Sequence, residues 1–92
     1  MPTTININQD NSQDIDLGNS NSMSITANGG NASVHVDYLL GTGAYSSAIK
    51  GSAGYANPFT VNNGNTKVVM KSDLESEHVR LGARNANISV TY

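Results

Sequence analysis

His35 and Asp37 stand two residues apart in an alternating stretch, Val34-His35-Val36-Asp37. That spacing places both side chains on one face of a strand. An imidazole beside a carboxylate, in a serine-rich chain, is part of what a nucleophilic triad requires. The triad further needs a nucleophile held by the imidazole, and no serine is committed to that role by its position. The pair therefore reads as a solvent-facing strand surface. His78, next to Glu77 and close to Arg80, is equally isolated. No catalytic residue is assigned, and the chain is expected not to be an enzyme.

Asp10, Asp14 and Asp16, with Asn11 and Gly18, raise the question of calcium. An EF-hand loop needs ligands, a central glycine and a closing glutamate in fixed register. With Asp10 as first ligand, Asn21 stands at the closing position and the central glycine is missing. A looser Asp/Asn site between strands stays open, and no metal ligand is assigned. Gly41-Thr42-Gly43 lacks the lysine and following helix of a phosphate loop. Cysteine is absent, which removes disulfides and cysteine-based zinc or iron–sulfur centres. No cofactor is expected.

Charge narrows the partners. Charged residues make up 13% of the 92-residue chain, and the net charge is −2. Phosphate-backbone binding needs clustered Lys and Arg. The five here are scattered, so nucleic acid is set aside. The halves differ in sign. Residues 1–49 hold Asp10, Asp14, Asp16 and Asp37 without a Lys or Arg, whereas residues 50–92 carry a surplus of two positive charges. Such polarity could orient identical subunits, and chance in a sparse charge set explains it equally well. No run approaches a membrane-spanning length. Met1–Asp10 lacks the basic and apolar regions of a signal peptide. The chain reads as a complete small protein made in the cytoplasm.

The elements that must position these groups are strands. Apolar residues recur with period two at Ile5 and Ile7, Ile15 and Leu17, Met23 to Ala27, Val34 to Tyr38, Val79 and Leu81, and Ile88 to Tyr92. This pattern gives each strand one apolar and one polar face. Turn formers such as Asn28-Gly29-Gly30-Asn31 and Asn62-Asn63-Gly64-Asn65 separate the runs. Residues 1–92 are thus expected to form a single all-β domain, a small antiparallel β-sandwich or jelly roll with almost no helix. Ser72–Val79 reads as a loop. Ile25, Val34, Val36, Val79, Leu81, Ile88 and Val90 are expected in the core.

A repeat is visible. Met23-x-Ile25-x-Ala27, a turn, then Asn31-Ala32-x-Val34-x-Val36-x-Tyr38 returns as Val79-x-Leu81-x-Ala83, a turn, then Asn85-Ala86-x-Ile88-x-Val90-x-Tyr92. Each copy reads as a hairpin supplying one inner face of the sandwich. Duplication and convergence both explain the match. Gly41–Phe59 breaks the alternation, and is either a long loop or irregular strands around one. Its Tyr45, Ile49, Tyr55 and Phe59, amid small residues, suit a contact surface, or Tyr55 and Phe59 close the end of the sandwich. Ile5 and Ile7 on the first strand are the other candidate contacts, since an edge strand can extend a neighbour's sheet.

The whole chain resembles the small head-decoration, or cement, proteins of tailed bacteriophages. The likeness lies in the cysteine-free chain of this length, the Asn/Ser/Gly-rich alternating strands from Thr3 to Thr26, and the endings Val34-His35-Val36-Asp37-Tyr38 and Ile88-Ser89-Val90-Thr91-Tyr92. It is a likeness of style without a diagnostic motif. It implies a non-enzymatic virion protein on the capsid exterior, bound to the major capsid protein lattice and stabilising it, and assembled as a homotrimer. A thin core short of large aromatics also favours shared burial between copies. The rival reading is a receptor- or carbohydrate-binding β-domain of a phage tail fibre or adhesin. For stacking sugar rings the sequence offers Tyr45, Tyr55 and Phe59.

Overall fold

Period-two patterning becomes strand wherever it occurs. The computed structural model describes residues 2–92, and among these it has nine strands and two short 3-10 turns. The strands are β1 (Thr4–Ile7), β2 (Ser12–Asp16), β3 (Ser22–Asn28), β4 (Ala32–Leu39), β5 (Tyr45–Ser47), β6 (Phe59–Val61), β7 (Thr66–Met70), β8 (His78–Arg84) and β9 (Asn87–Thr91). They form two antiparallel sheets. The first has the order β1-β9-β3-β7. The second has β2-β8-β4, with β5 and β6 sharing the far edge of β4. This is the expected β-sandwich, with one contiguous core between the sheets.

The core is the set of inward alternates. Met23, Ile25, Val34, Val36, Leu81, Ile88 and Val90 are fully buried, and Val79 is nearly so. No buried side-chain polar atom lacks a hydrogen-bond partner among the described residues. Leu17, Ala48, Ile49 and Leu74 add to the same core from outside the strands, and an antiparallel bridge joins Ile49 to Leu74.

The repeat folds differently from a pair of hairpins. β3 lies in the first sheet and β4 in the second, while β8 lies in the second and β9 in the first. Each copy is therefore an arch whose turn carries the chain across the sandwich. The arches pair with each other in matching register. Ile25 faces Val90 and Ala27 faces Ile88 across β3 and β9. Their counterparts, Leu81 with Val36 and Ala83 with Val34, face each other across β8 and β4. The two copies are thus related by an approximate two-fold. The turns lie side by side, and a Cβ on Gly30 would lie 3.5 Å from that of Ala86, an ordinary van der Waals contact. The first residue after the strand has positive φ in both turns, Gly29 at 81° and Asn85 at 72°. Glycine and asparagine adopt that region most readily. Hairpin and arch are indistinguishable in the apolar pattern, because both keep the same alternates facing the core.

The irregular middle is organised by one side chain. β5 pairs with β4 at 37–39 and β6 pairs with it at 32–34, which leaves a gap at Val36. Asn57 fills the gap. Its Oδ1 accepts from the Val36 amide at 3.0 Å, and its Nδ2 donates to the Val36 carbonyl at 2.7 Å and the Ser47 hydroxyl at 2.8 Å. The side-chain amide substitutes for a strand residue between β5 and β6. Residues 72–79, expected as loop, open in the 3-10 turn Lys71–Asp73 and enter β8 at His78.

Candidate functional site

The two outer faces have opposite chemistry. On the first sheet the outward alternates are Thr4 and Asn6 on β1, Asn87, Ser89 and Thr91 on β9, and Ser22, Ser24, Thr26 and Asn28 on β3. Thr66, Val68 and Met70 of β7 complete the face. None is ionisable. Their side chains are bonded across strands: Thr4 Oγ1 to Thr91 Oγ1 at 3.0 Å, Thr26 Oγ1 to Thr66 Oγ1 at 2.7 Å, and Asn28 Nδ2 through Ser89 Oγ to Asn6 Oδ1 at 2.9 and 2.8 Å. At its β7 edge the face turns apolar. Val68 and Met70 are 48% and 44% exposed, two of the four large exposed hydrophobic residues among the described residues.

The second sheet carries charge instead. Asp14 and Asp16 of β2 lie across from Arg80 and His78 of β8, and Asp37 of β4 lies on the other side of Arg80. Arg80 Nε donates to Asp14 Oδ1 at 2.9 Å, and the guanidinium stacks 4.4 Å from the centre of the Tyr45 ring. The hydrogen bond to Asp14 pushes the Arg80 pKa up. A groove of about 310 Å³ opens here, lined by Asp14, Ile15, Asp16, Tyr38, Leu39, Tyr45, His78, Val79 and Arg80. It collects two further exposed hydrophobic residues, Leu39 and Tyr45. Further along the same face, Gly82 leaves a shallow hollow of about 160 Å³ bordered by His35 and Ser12.

The sequence-selected acidic and histidine residues are thereby placed. His35 and Asp37 share the outward face of β4, where Asp37 Oδ1 accepts from Asn57 Nδ2 at 3.4 Å. Asp10 lies in the turn before β2, away from Asp16, whose Oδ1 accepts from the Gly18 amide at 3.0 Å. Asp16, Glu77 and His78 bring potential ligand atoms within 4.8 Å of one another, all exposed. The imidazole meets Asp16 with Nδ1 at 3.8 Å and Glu77 with Nε2 at 3.9 Å, and Lys71 stands 3.5 Å from Glu77.

Of the six residues expected at a contact surface, only Tyr45 is exposed. Ile7, Ile49 and Phe59 are core residues, because their inward register or loop position packs them between the sheets. Ile5 is half-buried against the same core, although its strand β1 is a free edge of the first sheet. Tyr55 packs edge-on against Phe59 with ring centres 5.7 Å apart, and Lys67 Nζ covers its ring at 3.8 Å. This pair closes the sandwich. Tyr55 also donates to Asp73 Oδ2 at 3.2 Å. Burial and the neighbouring carboxylate push its pKa up to about 12. The neutral phenol is thus favoured by folding, so its contribution is complete below pH ~10, the unfolded value, and is lost as pH rises towards 12. Tyr55 should ionise well above the ordinary phenol range, as followed by phenolate absorbance. Tyr55→Phe should flatten the alkaline loss of stability between those values.

The residues missed from sequence are Arg80, Leu39 and the Ser/Thr/Asn rows. Outward alternates of β1 and β9 are uncharged while those of β4 and β8 hold His, Asp and Arg. That contrast is visible in the chain, but it needs the strand order to become a face. Comparison with protein-family models, curated proteins and solved structures yields no match.

Proposed function

We propose that this protein is a non-enzymatic virion structural protein that seats on the outer surface of a phage capsid and stabilises it by bridging neighbouring subunits. The observation that carries this reading is the uncharged outer face of the first sheet. A charge buried at an interface must lose its hydration, which costs several kcal/mol unless it is paired. The Thr, Ser and Asn side chains of this face that are bonded to one another lose less, and their ordering cost is met within the fold. Interface cores are correspondingly depleted in charged residues. All ionisable groups borne by the strands' outer faces lie on the opposite sheet. The capsid, as the partner, follows from the likeness of style to head-decoration proteins.

The strand order further supports a jelly-roll winding. β1-β9-β3-β7 over β2-β8-β4 with β5 and β6 is the order that results when an antiparallel ribbon wraps around a two-sheet barrel. In this reading the copies assemble as a trimer, and the free edges β1 and β7 of the first sheet are where backbone pairing can extend to a neighbour.

The test mixes purified protein with capsids lacking it. Bound copies should saturate at a fixed ratio to capsid subunits, and the capsid melting temperature should rise with occupancy. Absence of saturable binding would overturn the proposal.

A further inference from the structure

The groove on the second sheet lies on the face opposite the proposed docking surface, so a bound domain would present it outward. At about 310 Å³ it is at the small end of ligand sites, which run from roughly 300 Å³ upward. It spans β5, β4, β8 and β2, three interstrand steps or about 14 Å.

Its contents select a ligand class. Leu39 and Tyr45 are cross-strand partners, 58% and 43% exposed, and form an apolar platform. Arg80 lies over one face of the Tyr45 ring, which remains exposed. Polar groups surround the platform in alternation: the Asp14 and Asp16 carboxylates accept, while His78 and Arg80 donate. Nε of Arg80 is engaged by Asp14, and the other guanidinium N–H groups make no hydrogen bond among the described residues, which leaves them to a ligand. Asp14 is paired with Arg80, and His78 Nδ1 stands 3.8 Å from Asp16. A strongly anionic ligand would meet two carboxylates, and a cationic one would meet Arg80. A ring with an apolar C–H face and hydroxyls that both donate and accept satisfies platform and rim together.

We infer that the groove centred on Tyr45 is a binding site for a neutral saccharide. Tyr45 supplies the stacking surface. Asp14, Asp16 and Arg80 bond the hydroxyls.

The experiment uses the full chain, isotope-labelled, titrated with neutral di- and trisaccharides of glucose, galactose and N-acetylglucosamine, and in parallel with a sulfated disaccharide. Saturable amide shifts centred on Leu39, Tyr45, His78 and Arg80 are expected with at least one neutral sugar. Tyr45→Ala should weaken that binding about tenfold or more, because the exposed ring carries the contact area. Tyr45→Phe, which retains the ring, should bind as the parent does. Circular dichroism identical to the parent confirms that the alanine variant is folded, as expected for so exposed a side chain. The inference is overturned if no neutral sugar shifts the groove residues at tens of millimolar, if Tyr45→Ala binds like the parent, or if only the sulfated sugar binds. Capsids are absent from this assay, so its result is independent of lattice docking.

Discussion

Ile88→Ala should destabilise the protein by about 2–5 kcal/mol. Ile88 is fully buried and lies in β9 between Ile7 of β1 and Ala27 of β3. It also occupies the arch position equivalent to Val34, where the two sheets close together. Its partner on the β3 side, Ala27, has no long side chain with which to fill the cavity. The loss combines transfer free energy with the unfilled space. A chain of this size has roughly 5–15 kcal/mol of total stability, so the change removes a large share of it. Urea unfolding should show a lower midpoint with an unchanged slope. Thr91→Ala, on the outward face of the same strand, should stay within about 0.5 kcal/mol of the parent. Equal effects for the two variants would mean that the faces of β9 are misassigned.

Asn57→Ala is expected to cost about 1–3 kcal/mol, because it leaves the Val36 amide without its acceptor. The Val36 carbonyl keeps a bond from the Ala48 amide, so the orphaned donor carries most of the cost. Asn57→Asp should not restore the parent's stability, since one carboxylate oxygen can accept from that amide but the other would stand against the Val36 carbonyl and the Asp37 carboxylate, where Nδ2 donates. Hydrogen exchange at Val36 should accelerate in the alanine variant and stay slow at Leu81, whose partner strands are untouched. Parental protection at Val36 in Asn57→Ala would show that another group bridges β5 and β6.

How far this could be read from sequence depends on the range of the interaction. Alternation along a strand is local, so every expected core residue from Ile25 to Val90 was legible. Pairing between strands is not local. The two arches carry the residue grammar of hairpins, and only the sheet membership of β3 and β4 separates the alternatives. Asn57 gave no signal, because a side chain standing in for backbone has no periodic pattern. The contact residues show the same limit. Aromatics among small residues suggested a surface, yet Phe59 and Tyr55 are drawn inward by each other and by Lys67. Tyr45 instead is held outward by Arg80, which is 35 residues away in the chain and beside it only through β4 and β8.

The most direct measurement of lattice docking by the uncharged face compares two lysine variants for capsid binding. Val68→Lys places a charge on the exposed edge of the first sheet, and Ser12→Lys places one on the exposed edge of the second. Both sites are solvent-facing, so both variants should fold and melt as the parent does. Val68→Lys should bind capsids about tenfold or more weakly, because docking would bury an unpaired ammonium group. Ser12→Lys should bind with the parent's affinity and copy number. Parental binding by Val68→Lys, or a loss confined to Ser12→Lys, would contradict docking through the first sheet.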